Sequence, residues 1–477
     1  MRHSPVKCLR SVIKWLLPYC VECTYIRRRY GKAGYVDFLG ERLSSGFLRR
    51  MVAIAPYGLV KIWLEHSYCR MDFQTHQRDF SRIACGVHNR LEHGEPVRVL
   101  FFVADIAMFA AEPLFRSMRT DRRFLARVVA IPDFRRPPSE VVALQSACEG
   151  NLMRRYSPEA VLRVCPNENG EWPDVLSDVD IVVYPTPHDF SYYTYCIRYS
   201  AGRDVLPVMV NYGFYRSVYD RKIMASENYA HLWMAFFECD ATMSEYGAYS
   251  LLKGANAEKV GYVKMDALAE CVPTPHVRKR ILVALHHSVE GGKNDELALA
   301  TILQRAEFLA SLPVSYPEID FVFRPHPYLV QTLSQPSVWG VAQTEAYIRR
   351  LKAMPNVTWS DSGEYMSLFA ASDGCIQDCG SYLVEYVYTG KPCCYLLHSR
   401  ADMNRKFAPL GRKCLSVCYL AERKEEIRDY IERVVLRGED ERRSERRCLM
   451  SEIMVEYPYA AKKACERIIE KLRKDYR

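Results

Sequence analysis

From residue 96 onward, short apolar runs alternate with amphipathic stretches, and this alternation constrains the fold more than any other feature of the chain. Strands separated by helices form βαβ units and parallel sheets. A linker containing two prolines, at residues 272–276, divides the alternation into two blocks. The sequence therefore predicts an α/β protein with two Rossmann-like domains, whose parallel sheets face each other across a cleft. The predicted strands are 97–103, 126–131, 180–184, 206–211, 258–262, 280–285, 320–324, 357–360, 374–377 and 392–397, and the predicted helices include 106–118, 230–237, 296–312, 344–354, 363–371 and 381–388.

The predicted domains follow from this pattern and from the composition at the two ends. A length of 477 residues fits two domains with additional segments. We predict a basic amphipathic segment over residues 1–95 and a Rossmann-like domain over 96–270. A second Rossmann-like domain over 271–420 and C-terminal helices over 421–477 complete the chain.

The first 60 residues carry eleven Lys or Arg against three acids, with apolar residues at helical spacing. Such a segment suits the surface of an anionic membrane. A helical cap packed on the body, with its basic face in water, explains the pattern equally well. No nucleic-acid-binding motif accompanies the charge, so a nucleic-acid partner is not expected.

The chain has neither an apolar run of membrane-spanning length nor a recognisable signal peptide. We therefore expect a cytoplasmic protein, peripheral to the inner face of the cell membrane. Its 18 cysteines are then expected to be reduced and mostly buried thiols.

In parallel sheets, ligands lie beyond the carboxyl ends of the strands, so the residues that follow each strand are the candidates for function. The strongest of these segments is Asp378-Cys-Gly380-Ser381, which joins a strand to a helix, with Glu385 one turn further on. A glycine that permits close approach and free helical N–H groups suit a phosphate or diphosphate. A carboxylate at Glu385 suits a ribose hydroxyl or a cytosine amino group. Ordinary capping and a solvated helix face are the alternatives.

Two further strand ends in the same domain are polar. Arg324 and His326 follow the strand at 320–324, and His286, His287 and Ser288 follow the strand at 280–285. A cation and imidazoles at these places suit the neutralisation of phosphate oxygens in a transition state. A single histidine is usually structural, but three at two strand ends of one cleft favour a functional role.

Together, these segments resemble the CDP-glycerol glycerophosphotransferase family, the teichoic-acid and capsule polymerases and primases with a GT-B fold. Arg324-Pro-His326-Pro matches the family's His-Pro turn, and Asp378-x-x-Ser381-x-x-x-Glu385 followed by Lys-Pro matches its strand–helix signature. Gly-Tyr-Val-Lys-Met-Asp at 261–266 is similar to a third family stretch, with valine in place of proline. The resemblance covers residues 206–397.

The resemblance implies a CDP-activated polyol as donor, bound by the domain over 271–420, and a polymer or lipid-linked acceptor, bound by the domain over 96–270. It places the donor nucleotide and diphosphate at a set of five residues and implies no metal and no cofactor. It makes His286 or His287 the acceptor of a proton, with Arg324 and His326 as stabilisers of charge. The donor-binding set is Ser288, Asp378, Gly380, Ser381 and Glu385.

The acceptor side departs from the family pattern. Where teichoic-acid members carry a His-Gly pair, this chain reads Tyr212-Gly213, and a tyrosine is a poor base at neutral pH. His188, after the strand at 180–184, is a further candidate for the acceptor side, although its two neighbouring prolines also fit a rigid loop. A nucleotide-sugar glycosyltransferase of GT-B type and a non-catalytic glycan-assembly protein stay open as alternatives. The oligomeric state is not predicted.

Overall fold

The computed structural model describes residues 57–273, 275–289, 297–361 and 365–476. Thirteen strands, β1 to β13, form two sheets within these ranges. In chain order they are Val97–Val103, Phe124–Ala130, Val161–Leu162, Ile181–Tyr184, Leu206–Val210, Met234–Phe237, Ala257–Lys259, Lys279–Ala284, Ile319–Phe323, Val357–Trp359, Gly374–Gln377, Cys393–Leu396 and Tyr419–Ala421.

Helices lie between most consecutive strands. The α-helices are Tyr57–Glu92, Glu112–Thr120, Val141–Arg155, Ile197–Ala201, Asp220–Met224, Glu227–Ala230, Asp240–Tyr249, Asp266–Ala269, Ile302–Ser315, Leu329–Leu333, Gly340–Lys352, Met366–Ala371, Gly380–Glu385, Asp402–Lys406, Pro409–Ser416, Lys424–Asp429, Arg443–Ile453 and Ala460–Tyr476, and a π-helix spans Tyr430–Leu436. Short 3-10 helices are Ile106–Met108, Pro158–Ala160, Tyr193–Tyr195, Val263–Met265 and Tyr386–Thr389. None of the helices in these described ranges is long and apolar enough to cross a membrane.

Each sheet belongs to one domain and is entirely parallel. The first has the order β3-β2-β1-β4-β5-β6-β7 and the second the order β10-β9-β8-β11-β12-β13. In both sheets the order reverses beside the first strand of the domain, and a crevice for ligands opens at such a reversal. The central strands read as continuous apolar runs, as in β5 (LPVMV), because helices cover both faces. The predicted fold class is confirmed.

The chain crosses between the domains twice. The first crossing follows β7 and leads into β8. The second follows helix Arg443–Ile453, which packs in the core of the second domain, and leads to helix Ala460–Tyr476, which packs in the core of the first. At the first crossing, Gly261 has φ +87° and lies against the backbone of Val455 at the second. The two crossings therefore pack directly on each other.

Several elements differ from the sequence prediction. The stretch 230–237, predicted as a helix, contains β6 (Met234–Phe237), because a short apolar run without flanking periodicity fits either state. The helix predicted at 106–118 is interrupted after Ile106–Met108 and resumes at Glu112. Strands β3 and β13, of two and three residues, were not predicted, and their positions depend on pairing with longer neighbours.

The N-terminal prediction is only partly within the described residues. Residues 1–56, with most of the basic amphipathic segment, lie outside them. From Phe80 to Val87, the helix Tyr57–Glu92 packs its apolar residues into the core of the first domain. The boundary drawn at residue 95 therefore separates this helix from the domain on which it packs.

Candidate functional site

The carboxyl ends of β8, β9 and β11, which are neighbours in the second sheet, bring together three of the predicted polar segments. Backbone hydrogen bonds hold these segments to the sheet beyond the strands. Arg324 N donates to Val283 O at 2.8 Å and His326 N to Leu285 O at 2.8 Å. Asp378 N donates to Ala284 O at 3.2 Å. The loops are therefore extensions of the sheet, which fixes the side chains they carry.

Three histidines form a compact cluster at this edge. The ring centroids lie 4.1 Å apart for His287 and His326, 4.4 Å for His286 and His287, and 5.2 Å for His286 and His326. Burial is the main cause that lowers all three pKa values, to about 4 for His287 and about 3 for His326, with His286 well below its ordinary value. The three imidazoles are therefore neutral at neutral pH.

The hydrogen bonds of two of these histidines define which ring nitrogen carries the proton. Ser288 N donates to His286 Nδ1 at 3.1 Å, and Tyr328 N donates to His326 Nδ1 at 3.2 Å. A neutral imidazole whose Nδ1 accepts a hydrogen bond carries its proton on Nε2. One ring nitrogen from each of His286, His287 and His326 lies within 4.8 Å of the others, which is the spacing of a metal site. Two Nε2–H donors nevertheless suit an anionic oxygen and not a cation.

Asp378 is fully buried beneath this cluster, and both of its oxygens have protein partners. Oδ1 accepts from His286 N at 2.6 Å, and Oδ2 accepts from Thr301 N at 2.6 Å and Thr301 Oγ1 at 2.9 Å. Burial raises the pKa of Asp378 to about 6, although these three hydrogen bonds favour its ionised form. The predicted phosphate ligand is thus placed as a positioning residue that holds the His286 loop.

Ser288 is also engaged with the protein. Its Oγ lies 2.7 Å from His286 Nδ1 and accepts from Leu299 N at 3.1 Å, and the residue is buried. It therefore orients the His286 ring and does not face the cleft.

Arg324 supplies a buried positive charge close to the histidines. Arg324 is 6% exposed, and its Cζ lies 5.8 Å from the centre of the Tyr365 ring. Its Nη1 donates to Ser360 O at 3.4 Å. Burial raises the pKa of the Tyr382 hydroxyl in helix Gly380–Glu385, and the charge of Arg324 opposes this rise. The charge is therefore held between the end of β9 and the helix that begins at Gly380.

The first domain faces this edge with the loop that follows β5. Tyr212 is 41% exposed, and desolvation in the cleft is the main cause that raises the pKa of its hydroxyl. A Cβ atom placed on Gly213 would lie 3.0 Å from Ser381 Oγ, so the two domains nearly touch here. His188 lies past the end of β4 and is exposed, and desolvation followed by the charge of Arg135 lowers its pKa. Of the acceptor-side candidates, Gly213 is the one that lies against a donor-side candidate, Ser381.

Glu385 is wholly buried, and its carboxylate joins both domains to the segment between them. Oε1 accepts from Tyr262 Oη at 2.9 Å and from Lys264 Nζ at 3.0 Å, and Oε2 accepts from Tyr365 Oη at 2.5 Å. Lys264 Nζ also donates to Tyr212 O at 3.1 Å. We call these four side chains, Tyr262, Lys264, Tyr365 and Glu385, the interdomain network. The sequence predicts that the Glu385 carboxylate binds the donor nucleotide, but both of its oxygens accept hydrogen bonds from side chains of the protein.

Sequence reasoning missed Arg216, which extends from the first domain to the helix start at Gly380. Its guanidinium occupies the space in which a side chain at Gly380 would begin. It lies six residues beyond β5, whereas the strand-end rule, by which the residues just after each strand are the candidates for function, covers only the first few positions. Arg136 was missed for the same reason, and its Cζ lies 5.1 Å from the ring centre of Tyr328 in the opposite domain.

No protein-family model matches the chain, and no curated protein matches it. Among solved structures, the wall teichoic acid polymerase TagF gives a TM-score of 0.52 at 9% identity, over 85% of this chain and 98% of that one. A putative UDP-N-acetylglucosamine 2-epimerase from Listeria monocytogenes gives a TM-score of 0.51 at 13% identity, over 80% of this chain and 98% of that one. At these identities the likeness shows the fold alone, which is GT-B.

Proposed function

We propose that the protein is a transferase that moves glycerol phosphate, or a related polyol phosphate, from a CDP-activated donor to an acceptor. The acceptor is a cell-surface polysaccharide or a teichoic-acid-like polymer, and the product released is CMP. The observation that carries the proposal is the set of hydrogen-bond donor groups at the ends of β8 and β9. The Nε2–H groups of His286 and His326, with the charge of Arg324, suit an anion of several oxygens.

In this proposal the diphosphate of the donor lies between the histidine cluster and Ser381. A hydroxyl oxygen of the acceptor attacks the distal phosphorus, and the bond between that phosphorus and the bridging oxygen breaks. CMP leaves with the electron pair of that bond. His286, His326 and Arg324 stabilise the equatorial and leaving oxygens, since each presents an N–H group or a positive charge.

The proton of the acceptor hydroxyl needs a base. His286 Nδ1 already accepts a hydrogen bond and its Nε2 carries the proton, so it does not serve. Of the two histidines considered for this role, His287 is left. Its pKa of about 4 is that of a weak base, but the negative charge that builds on the transferred phosphoryl group favours its protonation.

A nucleotide-sugar glycosyltransferase is the second candidate, because the same anion site suits the diphosphate of a nucleotide sugar. This reaction breaks the bond between the sugar and the diphosphate, and it releases UDP or GDP in place of CMP. A non-catalytic glycan-assembly protein is the third candidate, and the tyrosine at position 212 is its support. These candidates differ in the released nucleotide, so one assay separates them.

The test is a thermal-shift screen with CMP, CDP, UDP and GDP, followed by measurement of nucleotide release from CDP-glycerol and CDP-ribitol. A ligand at a hundredfold its dissociation constant stabilises the folded state by about 2.7 kcal/mol. We expect cytidine nucleotides to stabilise the protein, Ser381→Ala to reduce the effect, and Ser315→Ala, on an exposed helix end, to leave it unchanged. A response to UDP or GDP alone supports the glycosyltransferase. Binding without turnover supports the assembly protein.

The proposed location is the inner face of the cell membrane, through residues 1–60. The support is the excess of eleven basic over three acidic residues in this segment. Basic residues near an anionic surface contribute about 1 kcal/mol each, and salt screens this attraction.

A further inference from the structure

Arg216 belongs to the first domain, but its backbone is paired with the second. Ser217 forms an antiparallel bridge with Phe407. Ala408 N donates to Arg216 O, and Val218 N donates to Lys406 O, both at 2.9 Å. The position of the Arg216 side chain is thus fixed relative to both sheets.

The guanidinium of Arg216 lies directly on Gly380. A Cβ atom at residue 380 would lie 2.8 Å from Arg216 Cζ and 2.8 Å from Arg216 Nε, and closer still to Nη2. Atoms at such distances overlap, so any larger residue at position 380 displaces the guanidinium. Glycine at this position therefore leaves room for the side chain of an arginine from the other domain.

The charge of Arg216 is only partly balanced within the protein. Its Nη1 lies 3.2 Å from each oxygen of Asp220, but Asp220 Oδ2 also accepts from Arg216 N at 2.8 Å and from Ser217 N at 2.7 Å. The side chain is 13% exposed, and its Nε has no hydrogen-bond partner in the described part of the chain. One edge of the guanidinium therefore carries a buried N–H group that no described residue pairs.

That edge lies beside the anion site proposed above. The charge of Arg216 is among the causes that lower the pKa values of His286 and His326, after burial and the neighbouring histidines. Asp220, its partner carboxylate in helix Asp220–Met224 of the first domain, contacts Nη1, whereas Nε and Nη2 lie against Gly380. The unused edge thus points to the Gly380 side, where the histidine cluster and Ser381 meet.

We propose that Arg216 binds the donor diphosphate from the first domain, opposite the histidines of the second, an inference that rests on the proposed anion site. Arginine binds phosphate oxygens through two parallel N–H groups, and such charge-assisted bonds are stronger than neutral ones. A diphosphate is then held by both domains at once, so it is bound only when they are close together.

The decisive variant is Gly380→Ala, which keeps the arginine and displaces its guanidinium with one methyl group. Arg216→Ala removes the group, and Arg216→Lys keeps the charge without the paired N–H groups. Gly150→Ala is the matched control, because a Cβ there meets only an arginine Nη1, at an ordinary 3.7 Å. The dissociation constants of CDP, CMP and inorganic pyrophosphate are measured by calorimetry on each folded variant.

We expect Gly380→Ala and Arg216→Ala to weaken CDP and pyrophosphate binding about ten- to hundredfold, with a smaller loss for Arg216→Lys and none for Gly150→Ala. CMP binding should change less, so the preference for CDP over CMP should fall. If Gly380→Ala is folded and binds CDP and pyrophosphate as the wild type does, Arg216 is an interdomain tie and not a ligand.

The pyrophosphate arm separates this inference from the proposed function. If the wild type binds pyrophosphate but no cytidine nucleotide, and both variants lose that binding, the arginine site stands while the CDP-donor proposal fails. If the wild type binds neither CDP nor pyrophosphate, the inference about Arg216 fails as well.

Discussion

The interdomain network makes a quantitative prediction about the pair Lys264 and Glu385. Their charged atoms are 3.0 Å apart, and their side chains are 16% and 0% exposed. Lys264→Met leaves a carboxylate wholly buried with two phenol partners, and breaking such a pair costs about 3 to 5 kcal/mol. Because Lys264 retains slight exposure, we expect a loss of about 3 kcal/mol. Glu385→Gln keeps an acceptor for Tyr262 and should cost about 2 kcal/mol.

The double variant Lys264→Met with Glu385→Gln should cost about 3 kcal/mol, well below the sum of the single losses. Each single change leaves the other charge without its partner, whereas the double change removes both charges. The assay is urea unfolding, followed by the fluorescence of the six tryptophans. The control cycle uses Lys413 and Glu452, whose charged atoms are 2.6 Å apart but whose side chains are 56% and 49% exposed. It should give a coupling of about 0 to 1 kcal/mol. Additive losses for Lys264 and Glu385 would refute the argument.

Three further predictions concern other parts of the molecule. The folded protein binds the Asp378 proton more tightly than the unfolded chain, so this group's contribution to stability falls by about 3 kcal/mol as pH rises from 3.8 to about 6; Asp378→Asn should lose this pH dependence in denaturant titrations, and a retained slope assigns it elsewhere. Gly261→Ala forces a side chain into φ +87° and onto the Val455 carbonyl group, and it should lower stability by about 3 kcal/mol in the same assay, whereas a cost below 1 kcal/mol contradicts this packing. Deletion of residues 1–60 should release the protein from anionic vesicles in a sedimentation assay, and unchanged binding makes the segment a structural cap.

Most strands of both sheets were predictable because a strand covered on both faces is a continuous apolar run. The ends of β1 and β11 coincide with the predicted ends, since an aspartate follows each strand within two residues, Asp105 after β1 and Asp378 after β11. β6 was mistaken for a helix because the residues from Leu232 to Phe237 are all apolar and show no helical or strand period. Strands of two or three residues carry no such signal, because pairing with a neighbour is what makes them strands.

The candidate site was predictable to the extent that it lies on one sheet edge. The strand-end rule found His286, Arg324, His326 and Asp378, which three adjacent strands bring together. The strand-end rule could not identify the partners of Glu385, since Lys264 is 121 residues away in the chain and belongs to the interdomain segment. The sequence shows that a helix carries a carboxylate, but it does not show whether distant residues already donate hydrogen bonds to its oxygens.

The final helix, Ala460–Tyr476, has a consequence for how the protein is made. The first sheet is complete once Lys259 has been synthesised, yet Ala464, Ile468 and Leu472 of the last helix belong to the core of that domain. The ribosome must add roughly 200 further residues, about 10 to 40 s at usual rates of synthesis, before that core can close. During this time the first domain presents an uncovered apolar surface to chaperones and to other nascent chains. A premature stop codon that removes only the last helix therefore damages the domain that was synthesised first.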